Sequence, residues 1–223
     1  MKKLIIKENN IFDILQKFID AELDFVIVGG YAVSSYKHRF SVDADIVIQS
    51  RDLEKFELIL KREKFMKGFE KDLDNPYSSR FMRYEKDSAS IDLLIDGIAS
   101  RTTNASFGYG LLLQNSSKRK IIGIEREITV RVPSKEMLII MKIHSGRLTD
   151  FRDIAAITKE TNIEIIKKLI FIGDLKVLQE NLEKLNHAVH DKNFIDSFKG
   201  VFIEKKFDVD LKQVEKISQL KKV

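Results

Sequence analysis

The sequence predicts an α+β fold, with an α/β domain over residues 1–132 followed by a helical domain over residues 133–223. Three observations carry that expectation. Short apolar runs bounded by glycine or turn residues, as at 25–28 and 90–95, are confined to the first part. Beyond Pro133 the apolar residues recur at helical spacing. No Gly/Pro-rich linker, internal repeat or low-complexity tract interrupts the chain.

Taken in order, residues 10–20 place Ile11, Ile14, Leu15 and Phe18 on one face of a helix. Residues 25–28 read as a buried strand that stops at Gly29-Gly30, with a short helix over 31–36 after it. A second strand over 42–48 sets Val42, Ala44, Ile46 and Ile48 on one face and Asp43, Asp45 and Val47 on the other. Ser50 is placed to cap a helix over 51–64, with Asp52 in its first turn. Residues 72–79 read as a turn, and 81–85 with 90–95 as a strand pair. Further short strands fall at 120–125 and 127–132. Pro133-Ser134 then ends the strand pattern and starts a helix to Ser145, with Glu136 in its first turn. Helices follow over 150–159, 163–171, 175–189 and 211–220.

Composition limits the chemistry. With no cysteine, disulfides, thiolate catalysis and sulfur-ligated zinc are excluded, and any metal must sit on oxygen or on the four histidines. The longest apolar runs, such as 25–28 and 137–141, are far short of the roughly 18–20 residues that span a bilayer. The Leu-Ile-Ile after Met1-Lys2-Lys3 is too short for the apolar core of a signal peptide, so the expectation is a cytoplasmic protein without a membrane partner. The net charge of +5 is uneven: residues 118–147 hold eight basic and three acidic side chains and so account for all of it. A basic segment of this kind fits a polyanionic partner, either nucleotide phosphates or a nucleic acid.

The chemistry itself is carried by glycines and carboxylates. Gly29-Gly30, between a strand and a helix, allow a ligand close to the backbone and present amides to an anion. Asp43 and Asp45, two apart on a strand, point to one side and repel each other, and the sequence nearby offers no cation to pair both. A divalent cation with oxygen ligands resolves that conflict. Asp92 lies inside the apolar run Ile91–Ile95, where a carboxylate is costly unless paired or bound to metal. Asp96 shares its side but sits beside Gly97, which suits a turn. His38 lies near the motif, whereas His144, His187 and His190 suit structural or exposed roles. Tyr31 and Tyr36 suit packing better than base stacking.

Gly29-Gly30, Asp43-x-Asp45 and a later strand Asp92 together resemble the signature of the DNA polymerase β-like nucleotidyltransferase superfamily. The stretch from Arg39 to Ile46, Arg-Phe-Ser-Val-Asp-Ala-Asp-Ile, looks like the form in AbiEii-type toxins and related minimal nucleotidyltransferases. Lys142, Arg147, Asp150, Arg152 and Asp153 resemble the helical motif of that group, and depart from it at Leu148-Thr149. The resemblance runs from Phe25 to Ile157. It implies a nucleotidyltransferase-type mixed sheet flanked by helices. Asp43, Asp45 and Asp92 would hold two Mg²⁺ ions, with Mn²⁺ an acceptable substitute, and Asp92 would also help deprotonate an acceptor hydroxyl. Gly29, Gly30, Ser41, Arg39, Lys142 and Arg147 would contact the nucleotide, while Asp150 and Asp153 brace the following helix. The implied reaction moves NMP from an NTP to an acceptor hydroxyl, with tRNA or another nucleic acid as the acceptor and an antitoxin protein as partner. Nucleotidylation of a protein or small molecule is one alternative, and an inactive relative that only binds nucleic acid or a partner is another.

Overall fold

The computed structural model describes residues 2–72, 80–199, 201–202 and 208–222. Most of the turn expected over 72–79 lies outside the described residues. Five strands form the main sheet: β1 (Val26–Val28), β2 (Asp43–Ile48), β3 (Met66–Asp72), β4 (Arg80–Lys86) and β5 (Ala89–Ile95), in the order β1-β2-β5-β4-β3. Only the β2–β5 pairing is parallel, so the sheet is mixed, and its central strand β5 and the adjacent β2 carry the aspartates.

Alternation along β2 decides which face is which. Ala44, Ile46 and Ile48 are buried on the side covered by α1 (Lys2–Asp20) and α3 (Leu53–Arg62), leaving Asp43 and Asp45 on the other, where the short helix α2 (Gly29–Ser34) precedes them in the chain and starts two residues earlier than expected. Phe18 of α1, Phe25 and Phe56 of α3 meet edge-on beneath the sheet, with Phe18 and Phe56 centroids 4.7 Å apart. Strand β2 starts at Asp43, and Val42 is 55% exposed, so the strand begins one residue later than its sequence pattern predicts. Helix α1 also starts earlier than its periodicity indicates. Glu8, within the added length, is buried and accepts a hydrogen bond from the Ile124 amide, a tertiary contact that supports the longer helix.

After β5 come two short strands, β6 (Gly97–Ala99) and β7 (Ser106–Gly108), and a short helix α4 (Tyr109–Gln114). A hairpin of β8 (Ser116–Ile122) and β9 (Glu127–Pro133) follows. The C-terminal helices are α5 (Lys135–Ser145), α6 (Leu148–Ile157), α7 (Ile163–Ile170), α8 (Leu175–Val189) and α9 (Leu211–Ser218). Ser134 caps α5 as expected, accepting from the Met137 amide. Helix α5 is apolar on nearly every side and sits in the middle of the group, packed on α6, α7 and α8. Its C-terminal carbonyls at Ile143 and His144 accept from the buried Asn181 amide of α8. Among the described residues no helix is long and apolar enough to cross a membrane.

Candidate active site

Strand register assembles the aspartates. Parallel pairing of β2 with β5 sets Asp45 beside Asp92 and Asp43 beside Ser90, so three carboxylates share one face of adjacent strands. Asp92 is buried, and Asp43 and Asp45 are half-buried. Asp96 takes the turn role: it has positive φ and its carboxylate accepts from the Ser50 amide at 2.8 Å.

The cation that the sequence did not reveal is Arg83. Antiparallel pairing of β4 with β5 puts it opposite Asp92, where Nε and Nη2 donate to both carboxylate oxygens at 2.7 and 2.6 Å. The same Nη2 lies 3.6 Å from Asp43. A signal for this pairing was present. Asp87 and Ser88 both have positive φ and form a two-residue turn between Lys86 and Ala89, and counting back from that turn pairs Arg83 with Asp92.

Electrostatics separates the three acids. Burial, together with the neighbouring Asp43 and Asp92, pushes the Asp45 carboxyl up to about 7 against the pull of Lys142 and Arg83. Burial also raises Asp92, though Arg83 opposes the shift. Among the described residues no hydrogen bond or ion pair reaches the Asp45 carboxylate, so Asp45 is the under-compensated member of the group.

The glycine turn is built against these acids. Gly29 has φ +66°, and a Cβ there would lie 2.0 Å from Asp45 Oδ2. A Cβ on Gly30 would lie 2.3 Å from Ser41 Oγ. Ser41 in turn donates to the Asp43 carbonyl at 3.2 Å. The turn, Ser41 and the Asp43–Asp45 strand are therefore in direct contact, with no room for a side chain at either glycine.

Arg39, Lys142 and Arg147 are joined through two buried aspartates. Arg39 Nη1 donates to Asp153 at 2.5 and 2.6 Å, and Lys142 Nζ lies 2.7 Å from Asp153 and 2.9 Å from Asp150. Arg147 closes the series on Asp150, with Nε at 2.7 Å and Nη2 at 3.2 Å. Burial would raise the Asp150 carboxyl, but Lys142 and Arg147 outweigh it and hold the group well below the usual carboxylate range. Asp150 and Asp153 thus hold cations of the predicted site, and neither caps α6 through its side chain. Lys142 is buried in this network, whereas the Arg147 side chain is 71% exposed while it holds Asp150.

The remaining candidates are structural or peripheral. His144 is fully buried: Nε2 donates to the Ile170 carbonyl, which leaves Nδ1 to accept from Thr103 Oγ1. Its burial pushes the imidazole down to about 4. Tyr31 packs in the core, 5.8 Å from Phe12. Tyr36 donates to the Pro133 carbonyl at 2.8 Å and carries the Arg119 guanidinium 3.9 Å above its ring. His38 is half-buried in the segment leading to Arg39.

Neither a protein-family model nor a curated protein matches the chain. Solved structures do. The antibiotic-resistance factor ANT(2'')-Ia is similar over 84% of this chain and 98% of its own, with 16% identity and a TM-score of 0.55. JHP933 from Helicobacter pylori is similar over 99% of this chain and 92% of its own, with 14% identity and a TM-score of 0.50. The lincosamide antibiotic adenylyltransferase LnuA, solved with lincomycin, covers 69% of this chain and 98% of its own at 20% identity and a TM-score of 0.47. The chain has the nucleotidyltransferase-type fold, a mixed sheet flanked by helices, with three aspartates on its central strand and the adjacent β2.

Proposed function

We propose that the chain is a divalent-metal-dependent nucleotidyltransferase that moves NMP from an NTP to an acceptor hydroxyl. The observation that carries this reading is the in-register Asp45–Asp92 pair with Asp43 on the same face, packed against a positive-φ glycine turn.

The residues fit a hard cation. The donors are all oxygen, the anions crowd one another, and Asp45 lacks a partner of its own. Among the described residues no three potential ligands converge as a ready-made cage, and Arg83 engages both oxygens of Asp92. Cation binding through Asp92 therefore requires Arg83 to release at least one oxygen. A bound Mg²⁺ would neutralise phosphate charge and polarise the α-phosphoryl group.

The chain's own groups supply the rest. Asp92, with its proton affinity raised by burial, accepts the proton of the acceptor hydroxyl. The acceptor oxygen then forms a bond to the α-phosphorus as the bond to the bridging oxygen breaks, and pyrophosphate leaves. Gly29 and Gly30 let the backbone pack directly on Asp45 and Ser41, where its amides can meet phosphates. Arg147 contributes positive charge from its exposed position, and Arg39 and Lys142 do so through the network that holds them.

The basic segment 118–147 favours an RNA acceptor such as a tRNA end, and the motif around Arg39–Asp45 favours an AbiEii-like toxin with an antitoxin partner. A small-molecule acceptor is the second reading, favoured by the likeness to an antibiotic-resistance factor. Incubation with each α-labelled NTP, Mg²⁺ and total tRNA tests the first reading: label on RNA is expected from the wild type and not from Asp43→Ala. Label on a protein or small molecule would redirect the acceptor, and no label with any acceptor would refute transfer.

A further inference from the structure

Beyond Asp92 the carboxylate face continues onto the outer strands. Cross-strand register links Asp45, Asp92, Arg83 and Phe69 into one row, because Asp45 pairs with Asp92, Arg83 with Asp92, and Phe69 with Arg83. Side chains paired across strands lie on the same face, so Phe69 looks out on the same side as the aspartates. It owes this position to an irregularity. The register of β3 shifts at Gly68, so that Lys67 pairs with Tyr84 while Phe69 pairs with Arg83. In an unbulged strand residues 67 and 69 would share a face, and the extra residue turns Phe69 toward the row of charged groups.

The result is costly if it has no use. Phe69 is 52% exposed on the edge strand, and its ring lies 6.1 Å from the half-buried ring of Phe81. Arg83 sits 5.9 Å from the Phe81 centroid while holding Asp92, so one guanidinium joins the aromatic pair to the acid. Strands are spaced about 4.8 Å apart, which puts Phe69 ~10 Å along the row from Asp92.

We propose that Phe69 and Phe81 form a stacking platform for the terminal nucleobase of a single-stranded nucleic-acid acceptor whose hydroxyl is presented to Asp92. The proposal rests on the transfer reading above and names the acceptor. Order along the row matches such an end: an acid for the hydroxyl, a guanidinium for the adjoining phosphate, and aromatic faces for the base. Stacking on an aromatic face is indifferent to base identity, which suits an enzyme that binds a strand end.

The test uses the whole chain and a fluorescein-labelled 12-nucleotide single-stranded RNA, in two arms. Anisotropy without NTP or Mg²⁺ reads binding, and transfer of α-labelled NTP to the same RNA reads activity. Phe69→Ala is expected to weaken binding about tenfold and to raise KM for the RNA with little change in KM for NTP. Phe69→Tyr keeps the ring and should restore the affinity. Leu58→Ala, which removes another exposed apolar side chain from α3 on the opposite side of the sheet, should leave affinity unchanged. Wild-type protein that does not bind the RNA, or equal binding by wild type and Phe69→Ala, overturns the platform. If Phe69→Ala instead turns a dimer into a monomer while RNA affinity stays constant, the face is a self-association surface and the proposal also fails. RNA binding that depends on Phe69 without transfer to any acceptor would keep the platform and refute the transferase reading.

Discussion

Burial drives Asp45 and His144 toward their neutral forms, and the two therefore act on stability in opposite directions with pH. Asp45 titrates near 7 in the folded protein, above the ordinary carboxylate value, so the folded state holds the extra proton in between. Its contribution falls as pH rises from about 4 to 7. His144 titrates near 4 when folded, below its ordinary value, so the unfolded state holds the extra proton and stability rises with pH from about 4 to 6.5. In metal-free protein, urea midpoints between pH 4.5 and 7 should climb more steeply for Asp45→Asn than for wild type, and less steeply for His144→Gln. Parallel profiles for all three would contradict both assignments. Asp45→Asn should also be more stable than wild type at pH 7, since it removes an uncompensated charge. Gly29 gives a second check at this scale. Gly29→Ala meets both a left-handed backbone and the Asp45 carboxylate, and should cost about 2 kcal/mol or more. In an Asp45→Ala background that cost should shrink, because only the backbone part remains; additive losses in the double-mutant cycle would show that the glycine does not serve the acid.

At the level of elements, the site depends on how β2, β5 and the α5–α6 pair are held together. Asp153 of α6 grips Arg39, just ahead of β2, and Lys142 of α5, so one buried carboxylate joins three segments. Asp153→Asn leaves two cations short of a partner and should cost about 3 kcal/mol or more in chemical denaturation. A loss under 1 kcal/mol would mean that the network is incidental. The elements legible in the sequence were those whose side chains obey a simple period. Strand β2 alternates, β5 is a continuous apolar run, and α8 has helical spacing over its whole length. What was not legible fails that condition for identifiable reasons. Strand β3 has no clean alternation in the sequence because its register shifts at Gly68. Strands β6 and β7 span three residues each and α4 spans six, too short to establish a period. The Asp43, Asp45 and Asp92 constellation was visible because strand geometry fixes their direction, but Arg83 required the pairing register, and Asp150 and Asp153 required the tertiary fold.

Across the whole molecule, the sheet divides the chain into an apolar side under α1 and α3 and a charged side that carries the acids, the glycine turn and the cations of the α5–α6 network. The net charge of +5 resides in residues 118–147, which lead into that network. This distribution suits a phosphate-bearing ligand lying between acids and cations, with a divalent ion offsetting the acids. A titration of Mn²⁺ into the protein with each NTP, following the free-ion signal by electron paramagnetic resonance, tests this most directly because it needs no acceptor. Wild type should sequester Mn²⁺ beyond the amount bound by the nucleotide alone, and Asp43→Asn/Asp45→Asn should not. Equal sequestration by the two proteins, or none by wild type with any NTP, would contradict the assignment of Asp43, Asp45 and Asp92 as a metal–nucleotide site.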